Sequence, residues 1–185
     1  MAKTPTGYDF AGWVTRNDIH VSDGTIIKHN AFAGNDGTSV PLVWNHKHDT
    51  PGNTIGKITL VNMPSGVYGY GYFNGNQQAK DAREDILHGD INAMSIGAHG
   101  IKRDGPNIVH GRIFEVSLVL APANPGAQIE EVVRHGDGET SLYIYTDEIL
   151  HSAESLPEDV GLTPTVKSQL RASLVKGQLR SSFLN

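Results

Sequence analysis

The sequence predicts a mainly β fold with a few helices, and three observations carry that prediction. Twenty-one glycines and nine prolines in 185 residues cut the chain into short pieces, most densely over its first two-thirds. Many of those pieces are β-branched or aromatic, which suits a pleated strand better than a helix. The run Val67-Tyr68-Gly69-Tyr70-Gly71-Tyr72-Phe73 alternates with period two, so its rings share one face and its glycines the other.

Taken in chain order, Pro41-Leu42-Val43-Trp44 is an apolar strand-like segment that stops just before His46. Residues 56–62 alternate in part, Met63-Pro64-Ser65-Gly66 breaks the pattern, and residues 67–73 resume it, which is a hairpin signal. Glycines along one face of the second strand predict that something packs closely over them. Between residues 76 and 88 the period changes: Ala79, Ala82 or Arg83, and Ile86 recur at helical intervals after Asn76, a good cap, and Gly89 ends the helix. Residues 91–101 return to strand character around Ser95. Residues 108–121 form the most apolar strand, stopped by Pro122 and Pro125.

Composition shifts beyond about residue 133. A polar connector begins at His135, Leu142-Tyr143-Ile144-Tyr145 makes one apolar island, and acidic residues follow. Residues 163–184 carry Val166, Leu170, Leu174 and Leu179 at loosely helical spacing, the pattern of a terminal amphipathic helix. The organisation expected is therefore a domain over residues 1–133 and an extension over 134–185, helical or partly disordered. No internal repeat is evident.

Composition also excludes function classes. Net charge is −5 and the basic residues are scattered, so there is no electrostatic footprint for nucleic acid. The absence of cysteine removes thiol nucleophiles, disulfides and thiolate metal sites. The N-terminal segment has no apolar core and no long apolar run occurs, so a soluble protein without a secretory signal or membrane span is expected.

The pentapeptide Ala93-Met94-Ser95-Ile96-Gly97 sets one serine in an apolar strand, followed by a glycine able to bring a backbone N–H close to it. Acyl transfer by serine needs a base, a group that orients the base, and donors for the oxyanion. His46, at a strand end, is the candidate base. Glu115 interrupts Ile113-Phe114-x-Val116-x-Leu118: if buried it must find a partner, and if solvent-facing it shares its face with Ser117. Pattern alone leaves these two readings equal, and His110 and His99 remain alternative orienters. The cluster His46-Lys47-His48-Asp49 also invites a metal reading, but no HExxH or second cluster accompanies it. Glycine-rich residues 66–75 lack the Gly-Lys-Ser/Thr of a phosphate loop.

Three blocks in order add a resemblance. Pro41-Leu42-Val43-Trp44-Asn45-His46 followed by Ile55-Gly56, then Met94-Ser95-Ile96-Gly97, then Glu115-Val116-Ser117-Leu118-Val119 running into Pro122-Ala123-Asn124-Pro125, resemble the tailed-phage prohead protease family over about residues 8–133. The resemblance implies a compact β-barrel-like fold similar to herpesvirus assemblin. It implies a serine endopeptidase that cleaves scaffold and capsid-protein extensions, and itself in some cases, inside the immature capsid in the host cytoplasm. The implied partners are the major capsid protein and the scaffold protein, with room for a homo-oligomer, and no cofactor, nucleic acid or membrane. The family histidine falls on His46 and the serine on Ser95. Glu115 is favoured as third member, His110 is held in reserve, and oxyanion donors would be backbone N–H groups near Gly97 or a neighbouring loop, aided by Arg112. The alternative reading is a non-catalytic capsid assembly or scaffolding module on the same fold.

Overall fold

The structure is a computed structural model and describes residues 5–135 and 140–144. Its strands are β1 (Phe10–Arg16), β2 (Ile26–Ile27), β3 (Ser39–Trp44), β4 (Thr54–Met63), β5 (Gly66–Phe73), β6 (Ala93–Asp104), β7 (Asn107–Val119), β8 (Ile129–His135) and β9 (Thr140–Ile144). One α-helix, α1 (Gln77–His88), and two short 3₁₀ turns at Ala33–Asn35 and Pro51–Asn53 complete the described residues. The fold is mainly β, as the composition predicts.

The hairpin read from the sequence is β4–β5, in register from Gly56 opposite Phe73 to Met63 opposite Gly66. Its glycine face is filled as expected. A Cβ on Gly71 would lie 2.2 Å from Phe10 Cζ, and one on Gly69 would lie 2.5 Å from Ile58 Cδ1 and 2.7 Å from Val14 Cγ1. The missing side chains thus let core residues of β1 and β4 lie flat against β5. On the other face Tyr68 and Tyr70 pack with Tyr8 and Trp13, their rings edge to face at 5.1–5.4 Å.

Helix α1 matches its sequence signals. Asn76 accepts a hydrogen bond from the Ala79 N–H at 2.7 Å, Gly89 takes the left-handed conformation at φ 92°, and Ala79, Ala82 and Ile86 face the core.

The described strands all join one sheet in the order β2-β7-β3-β4-β5-β1-β8-β9, with β6 paired to β7. A bridge between Ala93 and Gln128 links the start of β6 to the start of β8, beside the bonds Met94 N–H to Ala127 O and Ile129 N–H to Asn92 O. These contacts close the circuit β7-β3-β4-β5-β1-β8-β6 into a barrel. Its interior holds Phe10, Leu42, Ile55, Ile58, Leu60, Met94, Ile113 and Leu118, each contributing roughly 1.5–3 kcal/mol by leaving water.

Strand β7 is the hub, since β2 and β3 pair with it in parallel and β6 in antiparallel fashion. Between the stretches paired with β2 and β3, buried Asn35 substitutes for a strand: its amide exchanges two 2.9 Å bonds with the backbone of Ile113. A register shift between Gly97 and Ala98 leaves Phe114 unopposed, because Gly97 faces Glu115 and Ala98 faces Ile113. That bulge slips the in–out alternation of β7 by one, so Ile113, Val116 and Leu118 all reach the core.

The apolar island at residues 142–144 lies in β9, which pairs antiparallel with β8. The rest of the sequence-predicted extension, including the helix expected at 163–184, lies outside the described residues. Among those described, no helix is long and apolar enough to cross a membrane.

Candidate active site

Three neighbouring strands carry the site, with β7 between β3 and β6. Across the β6–β7 pair Ser95 stands opposite Ser117 and Gly97 opposite Glu115, and across β3–β7 Val43 stands opposite Ser117. Period two then puts Ser95, Gly97, Glu115 and Ser117 on one face of the sheet, turned away from the core face that carries Met94, Val116 and Leu118.

His46 follows the end of β3. The Asn45 N–H bonds to Leu118 O at 3.0 Å and the Lys47 N–H to Trp44 O at 3.0 Å, closing a four-residue turn. Asn45 at φ 48° and His46 at φ 56° are both left-handed. Asparagine and histidine are both among the non-glycine residues enriched in this region, which for an L-residue generally costs on the order of 1–2 kcal/mol. The turn is held by the Ser117 hydroxyl, which accepts the His46 N–H at 3.0 Å.

Glu115 is 1 % exposed. A carboxylate buried to that degree needs partners for both oxygens, and it has them. Oε1 lies 2.7 Å from His46 Nδ1, and Oε2 accepts the Ser117 hydroxyl at 2.8 Å. An ionised carboxylate only accepts, so the proton of neutral His46 sits on Nδ1 and Nε2 is left as the basic nitrogen. The His46 side chain is 42 % exposed, so the imidazole is open to solvent.

Gly97 is also constrained sterically. A Cβ there would meet Glu115 Oε1 at 2.4 Å and both Glu115 Cγ and Phe114 Cζ at 2.8 Å. The glycine makes room for the orienting carboxylate. The Phe114 ring, half exposed, stacks with His99 at 5.8 Å and lies 6.2 Å from the ring of His48.

The structure therefore brings His46 and Glu115 into direct contact and settles the reading of Glu115 in favour of burial. Ser95 is 8 % exposed and its hydroxyl makes no hydrogen bond among the described residues, neither to His46 nor to Ser117. His110 is exposed and opposite Lys102, and Arg112 is exposed and opposite His99. The side chains of the metal reading diverge: His46 turns to Glu115, His48 to Phe114, and Asp49 accepts the Asn53 amide at 2.6 Å. Among the described residues no three His, Cys, Asp or Glu side chains converge as metal ligands. Sequence reasoning noted Ser117 only as a neighbour of Glu115. The spacing Glu115-x-Ser117 marked their shared face, but nothing local marked the bond to the backbone of His46.

Comparison with known proteins identifies a family. A family model described as caudovirus prohead serine protease matches residues 13–140. The prohead protease of Enterobacteria phage HK97 is 33 % identical over 132 residues, covering 65 % of this chain. The chain spans 58 % of the length of that curated relative. Among solved structures, KSHV protease bound to a hexapeptide phosphonate inhibitor aligns with a TM-score of 0.49 at 14 % identity over 91 % of this chain and 86 % of that one. A second KSHV protease structure aligns with a TM-score of 0.43 at 13 % identity over 94 % and 75 %.

Proposed function

We propose a function from one premise: the chain belongs to the caudovirus prohead serine protease family. On that premise it is a serine endopeptidase of capsid maturation, acting on scaffold and capsid-protein extensions, and on itself, inside the immature shell in the host cytoplasm. The observation that supports this reading most directly is the buried Glu115 carboxylate, 2.7 Å from Nδ1 of a solvent-reachable His46.

In the proposed mechanism Nε2 of His46 takes the proton of Ser95 as its Oγ attacks a peptide carbonyl. The imidazolium so formed sits against Glu115, whose negative charge stabilises it. His46 then returns the proton to the leaving amine. Water activated by the same nitrogen attacks the acyl-enzyme, releases the new C-terminus and frees Ser95.

Co-expression with the capsid and scaffold proteins tests the reading, with wild type and Ser95→Ala compared by intact mass. Truncated shell proteins with wild type and full-length ones with Ser95→Ala are expected. Identical masses, with both variants folded and incorporated, would favour the non-catalytic assembly module instead.

A further inference from the structure

We infer that Ser117 is a positioning residue of the proposed site, holding the base and its carboxylate in register through one hydroxyl. The inference rests on the reading of His46, Glu115 and Ser95 given above. It starts from hydrogen-bond capacity: a serine hydroxyl has one proton to donate and lone pairs to accept with. Ser117 gives its proton to Glu115 Oε2 at 2.8 Å and takes the His46 N–H at 3.0 Å. It is fully buried, so water does not stand in for either bond.

Both bonds act on groups that have little else to fix them. The Glu115 carboxylate is held by His46 and Ser117, and without the hydroxyl Oε2 would be left buried and unpaired. The turn at Asn45 and His46 is closed by the Lys47 N–H, so the His46 N–H takes no part in that closure. Ser117 supplies its partner, tying the left-handed backbone of the base to the strand that carries the carboxylate. One side chain therefore sets where the imidazole starts and where its acceptor points. The register adds the third component, since the residue opposite Ser117 on β6 is Ser95. Burial and two engaged lone-pair and proton positions also exclude Ser117 as the nucleophile.

The test uses the full chain inside co-expressed shells and a fluorophosphonate probe, which forms a bond from serine Oγ to phosphorus and expels fluoride. The maximal labelling rate and the half-saturating probe concentration are measured separately for wild type, Ser95→Ala, Ser117→Ala, Ser117→Thr and Ser117→Cys. Ser117→Ala is expected to lower the maximal rate roughly 10- to 150-fold, the scale of losing one hydrogen bond to a charged group. The half-saturating concentration is expected to stay unchanged, and Ser117→Thr, which keeps the hydroxyl, to recover most of the rate. A purely structural role would lower the labelled fraction and the melting temperature without this split. If Ser117→Ala does not fold, Ser117→Cys decides: of similar size but with a weak donor, it is expected to label more slowly than Ser117→Thr. Equal maximal rates for the hydroxyl-bearing and hydroxyl-lacking variants would overturn the inference and leave the protease reading intact. Wild-type labelling that does not depend on Ser95 would overturn both.

Discussion

Replacing Gly97 with alanine probes the packing under the proposed orienting carboxylate. The added Cβ would lie 2.4 Å from Glu115 Oε1, where ordinary contact begins at 3.4 Å, so the carboxylate would have to retreat by about 1 Å. Its bond to His46 Nδ1 is 2.7 Å, and a displacement of that size is enough to open it. Phe114 Cζ, at 2.8 Å, can swing outward at small cost because its ring is half exposed, but Glu115 is buried and pinned at both oxygens. Overpacking of this kind costs about 1–3 kcal/mol of stability. Losing a hydrogen bond to a charged group costs about 1.5–3 kcal/mol, which corresponds to roughly 10- to 150-fold in rate if it is lost in the transition state. The assays are thermal unfolding, at roughly 2–4 °C per kcal/mol for a chain of this size, and Ser95-dependent phosphonate labelling. Gly75→Ala is the control, since a Cβ there meets nothing within 4 Å. If Gly97→Ala matches wild type in both assays, the carboxylate does not occupy the space above Gly97 and the reasoning fails.

Glu115→Gln keeps the volume but removes the charge that fixes the His46 tautomer, and labelling is expected to fall about a thousandfold or more, while His110→Gln leaves it unchanged. Alkaline pH is expected to weaken the fold through the tyrosine face. Burial, and then the neighbouring Glu131 carboxylate, hold the Tyr8 and Tyr68 phenols above their ordinary value of 10.0, and burial raises Tyr70 and Tyr72 as well. Above that value the unfolded chain releases protons that the folded chain keeps, so stability is complete below about pH 10 and falls as pH rises further. Urea unfolding at stepped pH checks the slope. Phenolate absorbance titration checks the delayed ionisation, and Glu131→Gln is expected to shrink both effects.

What the sequence made legible is what short-range chemistry decides. The β4–β5 hairpin and α1 announce themselves through a break at Pro64, a cap at Asn76 and a left-handed glycine at 89. Tyrosine and glycine alternation in β5 predicted both faces of that strand. Glu115 was not legible in the same way, because the bulge at Phe114 slips the alternation of β7 and makes residue parity ambiguous there. The contact between His46 and Glu115 joins positions 69 apart through a parallel pairing that no local pattern encodes. The left-handed backbone of His46 was hidden for another reason: histidine signals positive φ only weakly, where a glycine would have marked it.

The parallel docking of β3 on β7 also bears on when the site comes into being. Strands β6 and β7 are consecutive, so Ser95, Glu115 and Ser117 meet within one hairpin whose closure is local and quick. His46 joins them only after the chain between β3 and β7, with its own hairpin and helix, has folded back, a non-local step that is intrinsically slow. Until then the proposed nucleophile has no base beside it. Synthesis runs from the N-terminus, so a half-made chain carries His46 before Ser95 and Glu115 exist, and the proposed site is assembled only once β7 has emerged and docked on β3.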